Sequence, residues 1–236
     1  MMHRVKVVCL ALMAVFALGV VAAASASAAE LPEFKTETKG TLSGGSGELT
    51  SKAGAIKCEK LTGTFEPLST KSKTLGTYTL NFTTCKEPKL TLACKSLGDP
   101  YNSASKPENG TILTGGEWHL VPGPKQVPTA LILLLVKELH VECSNAGLTI
   151  TVLFLIKGDV LGLITPLGTK TKEFKVEVKT TKAEGTEQEE KTFENDSGTV
   201  VSAKLESSLD SGTIEPAGEN SSAATLTMET ETEIEK

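Results

Sequence analysis

The sequence predicts an all-β protein, an antiparallel β-sandwich or open barrel that follows a cleaved N-terminal signal peptide. Turn residues punctuate the chain every 8 to 15 positions, which is a strand rhythm. Between them, segments rich in Thr, Val and Leu alternate apolar with polar side chains, as a half-buried strand requires. Four cysteines, an even number, remain beyond the leader.

In the leader, Arg4 and Lys6 precede an uncharged apolar run, Val7 to Val21, which gives way to small residues, Ala22 to Ala29. Ala-x-Ala occurs at Ala24/Ala26 and Ala26/Ala28, so cleavage falls after Ala28 or Ala29 and residues 1–29 are a signal peptide. An uncleaved anchor has no need of that small-residue exit. Cys9 lies inside the apolar run, away from the cleavage point, which argues against a lipid-modified N-terminal cysteine. Residues 30–236 then form a single β-rich domain with no transmembrane segment after cleavage, its longest apolar run being Ala130 to Val136.

The elements follow in order. Gly40 to Ser51 is Gly/Ser/Thr-rich and suits a loop or a weak edge strand. Thr77 to Thr84 alternates Leu80 and Phe82 and reads as a half-buried strand, with Tyr78 inside; Leu90 to Cys94 behaves alike. Gly98 to Gly110, with Pro100 and Pro107, is a long loop before strands at Thr111 to Leu113 and Glu117 to Val121. Ala130 to Val136, Leu139 to Val141 and Leu148 to Ile156 are the most apolar segments. The turn Ser144-Asn145-Ala146-Gly147 joins them into a hairpin of buried strands. A buried helix over Ala130 to His140 is the rival there, because Leu and Ala favour it. Glu173 to Thr180 alternates Phe174, Val176 and Val178 against charge, and Gly198 to Leu209 is a Val/Leu strand. In Ala224 to Ile234, Leu226, Met228 and Ile234 fall on one face and Glu229, Glu231, Glu233 and Glu235 on the other, a spacing that would scatter round a helix.

One internal similarity is present. Segment 63–73 (Gly63, Phe65, Pro67, Leu68, Thr70, Lys71, Lys73) matches segment 162–172 (Gly162, Ile164, Pro166, Leu167, Thr169, Lys170, Lys172) at a constant offset of 99. It reads either as equivalent lysine-bearing loops on a pseudo-symmetric scaffold or as convergence within a Thr/Lys-rich chain.

Beyond the leader the chain holds 22 basic residues, all lysine, against 29 acidic, a net charge of −7. Without one arginine fork to clamp phosphate, a nucleic-acid partner is not expected. The charge is uneven: residues 183–236 carry 14 acidic and 3 basic groups, and residues 30–182 carry 15 and 19. The acidic excess is that of solvated faces on the last strands or of a surface that attracts cations.

In an exported chain Cys58, Cys85, Cys94 and Cys143 form two disulfides, with three possible pairings. Cys85 and Cys94 bracket the turn-like Lys86-Glu87-Pro88-Lys89, so the expected set is Cys85–Cys94 and Cys58–Cys143. A metal site at His140 and Cys143 is disfavoured, because positions three apart on a strand point to opposite faces; no metal or other cofactor is expected.

No Gly-x-Ser-x-Gly elbow, phosphate loop, dinucleotide fingerprint or zinc-helix motif is present. Two histidines lie beyond the leader. His119 reads as a strand residue at a sheet edge, whereas His140 shares a strand face with Glu138 and Glu142. That carboxylate–imidazole row suits acid–base work or an exposed polar strand face, and the latter reading is preferred. Trp118, Tyr101 and Tyr78, the last expected to be buried, are the candidate aromatic platforms for a ligand, and Glu194 to Gly198 is an oxygen-rich turn of a kind that also serves calcium.

Gly116-Glu117-Trp118 resembles the Gly-x-Trp of the lipocalins, whose barrels hold small apolar ligands. The motif stands mid-chain here rather than near the mature N-terminus, and no binding residue is carried across. In its leader, its Lys-Cys-Glu-Lys and Thr-Thr-Cys segments and its late Thr/Glu strands, the chain resembles exported β-rich, two-disulfide proteins of unknown function from actinobacteria. That resemblance implies export and supplies no activity.

The expectation is an exported, non-catalytic protein, secreted or envelope-associated, that works by binding or as a structural component. One alternative is a β-barrel carrier of a small apolar ligand, with a cavity lined from the region Leu131 to Leu155. Another is a secreted hydrolase using His140, Glu138 and Glu142, which needs those side chains to converge in a cleft.

Overall fold

A computed structural model describes residues 31–69, 72–97, 107–124, 129–145, 148–181, 186–195 and 197–235. Residues 1–30 (which hold the expected signal peptide), Lys71, Tyr101, most of the 98–110 loop, Ala146-Gly147 and Asp196 lie outside the described residues. Among those described the protein is all-β and antiparallel, as the alternation predicts, with no helix long and apolar enough to cross a membrane.

The organising element is one long hairpin, β10 (Ala130–Asn145) with β11 (Leu148–Thr165), paired from Ala130↔Ile164 to Asn145↔Leu148. The helical alternative for 130–140 is thereby excluded. The free edge of each hairpin strand carries two different neighbours in succession, so the sheet closes twice.

The first ring leaves β10 through β9 (Thr111–Pro122), β6 (Leu75–Thr83) and β5 (Lys60–Pro67). It continues through β2 (Gly40–Gly44), β17 (Ala224–Thr232) and β12 (Thr171–Glu177), returning to residues 163–165 of β11. The second leaves β10 at Val141–Ser144 through β8 (Leu92–Ser96), β7 (Lys86–Glu87), β4 (Gly54–Cys58) and β3 (Gly47–Ser51). It then passes β16 (Glu215–Ser221) and β15 (Leu205–Leu209) to residues 154–158 of β11. Each ring counts eight strands with the hairpin included, and the two share one continuous apolar core. Gly40 to Ser51 therefore contributes two fully paired strands, not a loop or an edge. His119 also stands away from any edge, since β9 pairs with β6 on one side and β10 on the other.

A bulge marks the passage between the rings. From Val136↔Gly158 to Leu139↔Ile156, β10 inserts Lys137 and Glu138 against Lys157 alone. One extra residue in a period-two ladder exchanges the faces. Accordingly the core side chains of β10 change from Ala130, Ile132 and Leu134 to Leu139, Val141 and Cys143, while β11 keeps Phe154, Ile156, Val160 and Ile164 inside. Gly158 has φ +112°, and a Cβ there would stand 1.9 Å from the Lys204 carbonyl oxygen, so glycine is required by both conformation and space.

Two short pairings complete the molecule. β1 (Glu33–Phe34) pairs with β18 (Ile234–Glu235), laying both ends of the described chain across the outer mouth of the first ring. Phe34 packs edge-on against Trp118 and Phe174. β13 (Thr192–Glu194) and β14 (Val200–Ser202) form a ribbon from which Phe193, with Ala203 just beyond it, covers Leu131, Leu133 and Leu161 on the outside of the hairpin.

Candidate functional site

The disulfides join Cys58 to Cys85 and Cys94 to Cys143, which corrects the expected pairing. The four cysteines form one inward row across β4, the start of the β7–β8 hairpin, β8 and β10. Cys94 stands opposite Cys143, and the Lys57↔Lys86 and Lys86↔Ala93 pairs set Cys58 opposite Cys85 and Cys85 opposite Cys94. Cys94 donates its N–H to the Cys85 carbonyl at 2.9 Å. Opposed residues joined by backbone hydrogen bonds keep their Cα atoms about 5.5 Å apart, and unbonded opposed residues stand nearer, at about 4.5 Å. Both disulfides span Cα separations of 4.0 Å, so each cysteine bridges outward from the hairpin to its closer neighbour. The hairpin itself forms as expected from its turn, where Glu87 accepts the N–H groups of Lys89 and Leu90 at 3.1 and 2.6 Å.

The residues singled out in the sequence separate in space. Trp118 is 3% exposed, with its indole N–H donated to the Glu66 carbonyl, so it is core rather than a binding platform. Glu138 and His140 lie on the outer face, more than half exposed, with Oε1 and Nε2 2.6 Å apart. Glu142 instead faces Lys95 at 3.4 Å. The row lies along an open strand face rather than in a cleft, and Cys143 points inward and is disulfide-bonded, away from His140.

What the structure adds is a cavity of about 80 Å³ where the two rings meet. The hairpin contributes Leu134, Val136, Leu139, Ile156 and Val160, the side chains that bracket the bulge. Tyr78, Leu80, Phe82 and Ile112 close it from β6 and β9, and Leu49, Ile56, Cys58 and Leu205 from the second ring. The bulge lies between the hairpin residues that line this space, and most of the lining is apolar. The polar group of Tyr78 is turned away, its hydroxyl donating to the Leu135 carbonyl at 3.2 Å.

One ionisable side chain of β16 lines this space. Ala217 is in the core, so Glu219, two residues on, points the same way and stands opposite Leu49. Glu219 is half-buried, and the apolar surroundings push its carboxyl from the ordinary 4.5 up to about 7. Nothing in the sequence marks Glu219: the run Glu215 to Ser221 has no large apolar residue, so no alternation shows which of its side chains turn inward. The core volume beside it is supplied by other strands.

No family model, curated protein or solved structure matches the chain.

Proposed function

We propose that the protein is an exported, non-catalytic binding protein that holds a small apolar group in the cavity between its two rings. The observation that carries this reading is the cavity itself, a gap left in a core that elsewhere buries its apolar side chains almost completely. An unfilled apolar space forfeits contacts on all its walls, which an apolar occupant restores without new polar partners. The lining includes Leu134, Val136 and Leu139, within the region expected of a carrier. The leader and the two disulfides accord with an oxidising exterior or envelope location. The rigid closed rings around the site accord with preorganised binding rather than with chemistry, since the exposed His140 row lies on the opposite face of the sheet.

Methyl NMR of the disulfide-intact protein tests this. Millimolar 1-butanol is expected to shift the Val136, Leu139 and Ile156 methyl signals saturably, and Ile156→Trp, which fills the space, to abolish the response. Methyl signals that do not move, or that move equally in Ile156→Trp, would overturn the assignment.

A further inference from the structure

The proposal rests on the cavity as a ligand site and concerns the chemistry of what enters it. We infer that the site selects a short aliphatic amine, whose chain occupies the apolar space and whose ammonium group pairs with the Glu219 carboxylate. The space of about 80 Å³ is small and mostly apolar in its lining, which suits a short aliphatic chain.

Three features favour an amine over a neutral or anionic head. The Glu219 side chain makes no hydrogen bond or ion pair with any described residue, and Leu49, Ile56 and Leu205 line the same space. An inward carboxyl without a partner costs stability when it ionises, and a cation brought beside it recovers that cost. An ammonium group supplies charge and three donors, whereas a carboxylate accepts only. No cation competes inside: the lining holds no lysine, and Lys57, which stands opposite Glu48 across β3 and β4, is exposed on the outer face. The acidic excess of residues 183–236 adds a field that attracts cations and repels anions.

The probes are n-butylamine, 1-butanol and butyrate, titrated into the disulfide-intact full-length mature chain and read from the Ile156 and Leu205 methyl signals. At pH 8 the amine is expected to bind about tenfold more tightly than the alcohol, with butyrate weakest. The preference should shrink at pH 5, where the Glu219 carboxyl holds its proton while the amine stays charged. Glu219→Gln should remove the amine preference over the alcohol, with the methyl spectrum of the free variant reporting its fold. Equal affinities for amine and alcohol at pH 8, or a preference that persists in Glu219→Gln or at pH 5, overturn the amine assignment and leave the cavity standing. Failure of both amine and alcohol to bind overturns the cavity reading along with it.

Discussion

At the scale of single residues, Glu219 is the group whose burial has a measurable consequence of its own. Its folded-state carboxyl titrates at about 7 against an ordinary 4.5, so between those values the folded chain keeps a proton that the unfolded chain has lost. Stability from this group therefore falls as pH rises through that window, the reverse of a salt-bridged carboxylate. Each pH unit between the two values corresponds to about 1.4 kcal/mol, and the partial exposure of the side chain trims the total, leaving about 2–3 kcal/mol at pH 8. Glu219→Gln is accordingly expected to stabilise the protein by that amount at pH 8 and to be near neutral at pH 4, as read from urea midpoints at both values. Equal midpoint changes at the two pH values would mean that the carboxyl is hydrated in the folded state. The chemistry-bearing residues that stand out in the sequence, Trp118 and His140, do so by rarity, and rarity does not report which face of a sheet a residue takes. Trp118 fills the core beside Phe34 and Phe65, whereas His140 lands outside only because the bulge at Lys137-Glu138 exchanges the faces of β10.

At the scale of elements, alternation identifies strands well and their partners poorly. Leu226, Met228 and Ile234 are buried, with Glu229 and Glu231 exposed, as their spacing requires. The β7–β8 turn also forms where its residues predict it. The disulfide pairing was not legible, because it depends on which flanking strands sit beside that hairpin and on which of its contacts is the hydrogen-bonded pair. In the folded chain β4 and β10 lie on its two sides, so the bonds close segments of 27 and 49 residues in place of one short turn. Peptide mapping under non-reducing conditions is expected to recover Cys58 linked to Cys85 and Cys94 linked to Cys143, with no Cys85–Cys94 peptide. Replacing either pair with alanine should cost about 3–4 kcal/mol by loop entropy, measured as a lowered urea midpoint. A recovered Cys85–Cys94 link would place β4 and β10 elsewhere and remove the second ring.

At the scale of the whole molecule, both rings close through strands that are remote in sequence: Ser51 pairs with Ala217, and Ser43 with Thr225. No local pattern announces such partners, and the repeat at offset 99 involves other strands. Its two copies leave β5 and β11, which stand four places apart in a ring of eight and so run in the same direction on opposite sides of the mouth. The β1–β18 pair bridges the resulting loops, Phe34 donating its N–H to the Lys73 carbonyl and Ile234 accepting from Gly168, both at 3.0 Å. The acidic C-terminal strands meet lysines there: Lys170 faces Glu231 at 3.6 Å and Lys35 faces Glu235 at 2.6 Å. These exposed pairs contribute little each, so the closure depends on apolar burial at Phe34 and Ile234, which are 4% and 1% exposed. Because that burial belongs to the shared core, Ile234→Ala should lower global stability by about 2–4 kcal/mol while unfolding remains a single transition. Trp118, against Phe34, reports the mouth by fluorescence, and amide exchange at Val141 and Phe154 reports the far ring. Coincident loss of both signals at lower urea is the expected result. Loss of the Trp118 signal ahead of the amides would instead make the terminal pair a local lid, with the two rings stable independently of the chain ends that close them.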